Sequence, residues 1–192
     1  MNKKDLRIFK NIPDLHTKRL LLRKIRISDC DDVFEYASDP EVSKYLLWSA
    51  HCTWFYTRDY LFNINLMYSK CRFYDWGIEY CGKMIGTVGF TSFDFNNNSA
   101  EIGYVLNRRF WHNGIASEAV RRIIVFAFEE LHLDKLVAKY MLENQASLRV
   151  AKAVGMIEVV GKKENIFFKE TSIDIGTVEL TKEAYLNNKR NF

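Results

Sequence analysis

The span from Ala100 to Leu131 does most to limit what this chain can fold into. Residues 100–106 (AEIGYVL) read as a β-strand, and from Ile115 the apolar period turns helical. Ile115, Ala119, Val120, Ile123, Ile124, Ala127, Phe128 and Leu131 then share one broad face, which has to be buried against a sheet. Gly114 falls just before the helix start. A turn there aims the free backbone N–H groups of residues 112–117 into one concavity backed by the helix dipole, and such a concavity binds phosphate. Ala116 is small enough to let a ligand approach the backbone, and Arg108, Arg109, Arg121 and Arg122 bring positive charge nearby. One glycine before a helix is also the mark of an ordinary loop.

The flanking sequence fits a mixed α/β (α+β) class. Lys18 to Arg26 is strand-like, and Ser28 stands as a capping oxygen before a helix carrying Asp29, Asp31 and Asp32 in its first turn. Asp39-Pro40 ends that helix, and Thr53 caps a second one running to about Tyr68. Between them, residues 45–48 form an aromatic loop. Residues 73–80 and 84–90 make two strands joined at Cys81-Gly82-Lys83, and residues 95–99 turn the chain into the strand at 100–106. A strand over 135–141 follows, then a helix opened by Asn144 and closed at Gly155. Val159-Val160 and residues 167–168 with 178–180 suggest two final strands. The result is a mostly antiparallel sheet with helices, one domain over residues 13–185, and tails at 1–12 and 186–192.

Composition removes several function classes. No apolar run approaches the ~18–20 residues of a membrane span. The opening MNKKDLRIFKNIPDL has no apolar segment of the secretory kind. Cys30, Cys52, Cys71 and Cys81 show no CxxC spacing and no paired histidines accompany them, so we expect no metal site, reduced thiols and a cytoplasmic location. The net charge is +4, with +6 over residues 1–29, which reads as a solvated tail. No recognition motif for nucleic acid accompanies that charge. A homodimer stays open.

Taken together, these motifs resemble the GNAT acetyltransferase superfamily, in the branch of ribosomal-protein alanine N-acetyltransferases (RimJ/RimL type). The T-x-R-L-x-L-R opening of that branch is matched by Thr17, Arg19, Leu20, Leu22 and Arg23, and Asp-Pro-Glu-Val by residues 39–42. The E-I-G-Y strand is Glu101 to Tyr104. The loop W-G-K-G-x-A-x-E-A is matched by residues 111–119, with His112 in place of the usual first glycine. Asn144, Ser147, Lys152 and Gly155 match the later N-x-x-S and K-x-x-G stretch. The likeness covers roughly residues 13–185.

The resemblance implies a sheet splayed between its fourth and fifth strands, the one ending at Leu106 and the one from Lys135, with helices on both faces. It also implies acetyl-CoA as donor and a primary amine as acceptor. The pantetheine arm would pair with backbone at Tyr104, Val105 and Leu106, and Asn144 would hold it through its amide. The loop of Trp111, His112, Asn113, Gly114, Ile115, Ala116 and Ser117 would take the pyrophosphate. Family members transfer acetyl directly in one ternary complex, a reaction served by a base near neutral pKa and a proton donor near sulfur.

Strand alternation puts Glu101 on the face of Gly103 and Val105, making it the candidate base through water, or a strand-face carboxylate paired with an arginine. Ser147 is the candidate donor, or an ordinary first-turn hydroxyl. Tyr104 and Tyr140 read as packing hydroxyls. Trp48 and His51 are candidate acceptor contacts, with core packing for the tryptophan and a surface position for the histidine as alternatives. Two other classes remain: a coenzyme-binding module without catalysis, and a ribosome- or nucleic-acid-associated binding protein.

Overall fold

A computed structural model of the chain describes residues 5–161, 164–168 and 171–189. The strands are β1 (Leu15–His16), β2 (Leu20–Arg23), β3 (Asp75–Tyr80), β4 (Lys83–Asp94), β5 (Ser99–Leu106), β6 (Lys135–Met141), β7 (Ile157–Glu158), β8 (Glu164–Phe168) and β9 (Thr171–Thr181). The helices are α1 (Cys30–Ala37), α2 (Pro40–Ser43), α3 (Trp54–Ser69), α4 (Ile115–Val125), α5 (Gln145–Ala153) and α6 (Lys182–Asn187). The nine strands form one sheet in the order β1-β2-β3-β4-β5-β6-β9-β7, with β8 on β9. Among the described residues, only β5 and β6 pair in parallel. Among the described residues no helix is long and apolar enough to cross a membrane, and no cluster of side chains is suited to a metal.

Local chemistry explains the element ends. The Thr53 hydroxyl accepts from the Tyr56 N–H and starts α3, and Asn144 Oδ1 accepts from the Ser147 N–H and starts α5. Cys81 and Gly82 both have positive φ, +50° and +77°, the two left-handed residues that a tight hairpin between β3 and β4 needs.

The site depends on where β5 and β6 part. They pair only through Ser99, Ala100 and Glu101 against Lys135, Leu136 and Val137, although β5 continues to Leu106 and β6 to Met141. At the same level β4 carries a bulge, with Thr91 the extra residue between Phe90 and Ser92. Bulges raise local twist, and this one lies beside the point of divergence.

The two sheet faces differ in cover. Trp76, Val88, Phe90 and Ile102 are buried, and the Trp76 ring meets Phe126 at 5.2 Å. Asp75, Thr87, Gly103, Val105 and Glu101 share the other face through their cross-strand register and keep partial solvent contact.

Four expectations need correction. The segment read as a solvated tail holds a 3-10 turn, Asp5–Asn11, whose Phe9 is fully buried against Tyr74, Trp76 and Phe90. Its charged residues masked an apolar spacing of Leu6, Phe9 and Ile12. Ser28 does not cap α1; it lies inside a 3-10 turn, and the Asp29 carboxylate takes the Arg26 N–H instead. The splayed strands are fifth and sixth, because Leu15–His16 counts as a strand. The C-terminal part forms three strands, with Val159-Val160 outside them, and α6 takes in residues 186 and 187 of the expected tail. Residues 1–4 and 190–192 of the two expected tails lie outside the described residues.

Candidate active site

The loop between β5 and α4 closes with two left-handed residues, His112 at φ +62° and Gly114 at φ +70°. Such alternation turns successive N–H groups toward one point. Trp111 N–H donates to Arg108 O and Glu118 N–H to Gly114 O, and between them the N–H groups of residues 112–117 have no acceptor among the described residues. His112, Asn113 and Gly114 are exposed, Ala116 and Ser117 half-buried, and Ile115 is buried beneath them. A ligand can therefore reach the donors. The substitution of histidine for glycine falls where positive φ is required, a conformation costing roughly 1–2 kcal/mol for a residue with a Cβ, though histidine tolerates it better than most.

Three groups from outside the loop hold it. The Glu118 carboxylate accepts from the Thr17 hydroxyl (2.6 Å), the Arg19 N–H (2.9 Å) and the Arg19 guanidinium (2.6 Å). Arg19 Nη1 then donates to Asn113 O at 3.0 Å. Burial pushes the Glu118 carboxyl up, but these bonds outweigh it and hold it below the usual range. The expected arginines are otherwise engaged: Arg108 with Asp39, Arg109 with Glu35, Arg122 with Glu130, and Arg121 on the Ala153 carbonyl. The guanidinium touching the loop backbone is Arg19, from the lead into β2. The Thr17-x-Arg19 and Glu118 positions were visible as motif matches, with no role attached to them.

Along the gap, Val105 lies on the half-open face with Glu101, and Tyr104 points the other way beside Val88. Trp111 Nε1 donates to Leu106 O at 2.8 Å, so the indole braces the end of β5 and that carbonyl already has a partner. Asn144 Oδ1 caps α5. Ser147 Oγ lies 2.9 Å from the Tyr104 hydroxyl, tying α5 to β5 across the parted strands. Burial pushes the Tyr104 phenol up to about 12, so it stays protonated at neutral pH. Among the described residues no arginine pairs with Glu101, the alternative role read for it; its carboxylate accepts from the Thr91 hydroxyl at 3.1 Å on the bulge. Glu101 and Ser147 thus flank the gap from opposite faces of β5.

Trp48 and His51 do lie together, ring centroids 5.5 Å apart, and Tyr56 and Tyr60 pack on His51 at 4.8 and 5.3 Å. His51 is not a surface residue: only 8% of it is exposed, its Nδ1 contacts Thr57 Oγ1 at 2.8 Å, and burial lowers its pKa. Sequence reasoning missed Asp75, whose carboxylate lies beside Tyr60 on the half-open face; a lone aspartate at a strand start gives no signal of this kind.

Comparison with known proteins gives the family. The family model described as an acetyltransferase (GNAT) domain matches residues 19–157. The uncharacterized N-acetyltransferase p20 of Bacillus licheniformis is 33% identical over 173 residues, covering 89% of this chain and 97% of its own. A GNAT-family acetyltransferase from Bacillus anthracis superposes with a TM-score of 0.77 at 26% identity, over 89% of this chain and 99% of that one. RimL, a ribosomal α-N-protein acetyltransferase solved in complex with coenzyme A, shares the fold at TM-score 0.77 and 20% identity, over 90% and 99% of the two chains. With a matching domain across most of its length and a relative aligned nearly end to end, this chain belongs to the GNAT acetyltransferase family and is an acetyltransferase enzyme.

Proposed function

We propose that this enzyme transfers acetyl from acetyl-CoA directly to a primary amine, of a protein N-terminus or a small molecule, in one ternary complex. The observation that carries this reading is the run of unpartnered N–H groups at residues 112–117, at the tip of α4 and beside strands already parted. Bound acetyl-CoA would supply an acyl carbon activated by a thiolate leaving group.

The chain's own residues then have distinct tasks. The 112–117 amides take the diphosphate, with the helix dipole behind them. Backbone of Tyr104 on the unpaired edge of β5 pairs with the pantetheine arm as an added strand would, while Val105 stays in the ladder with Thr87 of β4, and the Asn144 amide N–H group steadies the arm. Glu101, held by Thr91, takes the ammonium proton through water on one face, freeing the nitrogen lone pair to attack. As the C–N bond forms and the C–S bond breaks, Ser147 gives its proton to sulfur from the other face. Tyr104, which stays protonated and lies 2.9 Å away, holds the Ser147 hydroxyl in place, and the proton that Ser147 gives up is returned by solvent water after thiol release.

The test is release of free thiol from acetyl-CoA by the purified protein across a panel of amines, including an N-terminal peptide of a ribosomal protein. Amine-dependent thiol release with one acetyl gained by the acceptor supports the reading. Coenzyme binding with no turnover on any amine would leave a binding module. Salt-sensitive RNA binding with no affinity for coenzyme A would overturn the reading altogether.

A further inference from the structure

Asp75 has no partner among the described residues that accounts for it. No hydrogen bond or ion pair reaches its carboxylate, while its backbone carbonyl accepts from the Tyr68 hydroxyl. Yet it lies deep enough that burial raises its carboxyl to about 7. Asp75 keeps partial solvent contact, and a carboxylate with part of its hydration removed attracts a cation more strongly than one in open water.

Register says where it points. Asp75 is paired with Gly89 on β4, and Gly89 with Gly103 on β5. A Cβ placed on Gly89 would meet the Tyr74 carbonyl, the Asp75 backbone and Asp75 Oδ1 together, so the carboxylate lies against Gly89 of β4. The two glycines bring no side chains of their own to the sheet between Asp75 and the Glu101–Val105 edge, and the Thr91 methyl, 2.9 Å from where a Cβ on Gly103 would stand, borders this otherwise bare strip. One wall of this space is aromatic: Tyr60 stands beside Asp75 and continues through His51 to Tyr56 and Trp48.

We infer that this bare strip is an ammonium subsite, in which Asp75 holds a second, non-reacting amino group of the acceptor. The inference rests on the acetyltransferase reading above. The spacing follows from the sheet: from a carboxylate over β4 to the gap beyond β5 is roughly one and a half to two strand spacings of about 4.8 Å. That is too far for an ion pair with the nitrogen being acetylated, and it suits the far end of a short α,ω-diamine.

Near neutral pH Asp75 is the group that titrates in this neighbourhood. Tyr36 on α1 and Tyr60 and Tyr68 on α3 are all pushed up by burial and stay neutral. Arg23 is held between Asp29 and Glu79, Lys24 lies over the Tyr68 ring, and burial lowers His51. An ammonium ion seated at Asp75 therefore releases a proton from the protonated fraction of that carboxyl.

Two measurements decide the matter. In the first, 1,4-diaminobutane and butylamine are titrated calorimetrically at pH 6.5 into protein saturated with coenzyme A, in buffers of different ionisation enthalpy. Diamine binding with proton release, reduced roughly tenfold in affinity and with the proton release gone in Asp75→Asn, supports the subsite. Diamine binding no tighter than butylamine, or without proton release, overturns it on the native protein alone. In the second, kcat/KM is compared for α,ω-diamines of three to six carbons and their matched monoamines. A wild-type preference for one diamine of roughly tenfold that falls to about unity in Asp75→Asn is expected; a preference that survives the substitution refutes the role of Asp75. If no amine releases thiol, the transfer reading fails, and the calorimetry still decides the subsite.

Discussion

Replacing Glu118 with alanine removes the acceptor shared by Thr17 and Arg19, and its cost can be worked from the contacts. The bonds from the Thr17 hydroxyl (2.6 Å) and the Arg19 N–H (2.9 Å) reach a charged carboxylate, and such bonds contribute about 1–1.5 kcal/mol each once partly solvated. The guanidinium pair is 38% exposed on the arginine side and adds less than about 1 kcal/mol. Thr17 keeps a weaker alternative at Leu20 O, 3.4 Å away. The expected loss is about 2–3 kcal/mol, or roughly 5–10 °C in melting temperature for a chain of this size. Because Arg19 also holds Asn113 O, the same variant should bind coenzyme A several-fold more weakly in a calorimetric titration. The carboxyl is held below its usual range, so its contribution is present above the unfolded-state pKa near ~4.3 and is lost as pH falls through the lower folded value. The variant should flatten that part of the stability–pH curve. A melting point within about one degree of wild type, together with unchanged coenzyme affinity, would refute this account of how the loop is held.

Gly114→Glu should sharply reduce coenzyme affinity in a calorimetric titration, through charge and positive φ rather than a clash, since the nearest atom to a new Cβ is an Arg19 nitrogen at 3.7 Å; unchanged affinity would move the diphosphate elsewhere. His112→Val puts a β-branched residue at φ +62° and should cost about 1–3 kcal/mol in chemical denaturation, whereas His112→Gly should hold or raise the melting temperature. Glu101→Gln should lower turnover at neutral pH more than it alters coenzyme affinity; a pH–rate profile identical to wild type would demote Glu101 to a structural carboxylate.

Elements whose cause is local were readable in the sequence. Thr53 and Asn144 cap the helices they were expected to cap, and the span 135–141 is a strand with those bounds. Gly114 sits at a helix tip with the φ that only glycine adopts freely. Features set by tertiary contact were not readable. Phe9 is buried by strands more than sixty residues away. The helix read through Leu131 ends in a π turn over Phe126–Glu130, with Leu131 N–H on Phe126 O, which lets Phe126, Ala127 and Phe128 all be buried. Ion pairing redirected the arginines near the loop, and only the register across β3, β4 and β5 brings Asp75 to the face of Glu101.

The most direct test of the central claim is amide NMR of the protein titrated with coenzyme A. The N–H signals of residues 112–117 should shift most and gain protection from hydrogen exchange, while those of α6 stay still. Saturating coenzyme that leaves these amides unmoved and freely exchanging would contradict the assignment of the diphosphate to the tip of α4.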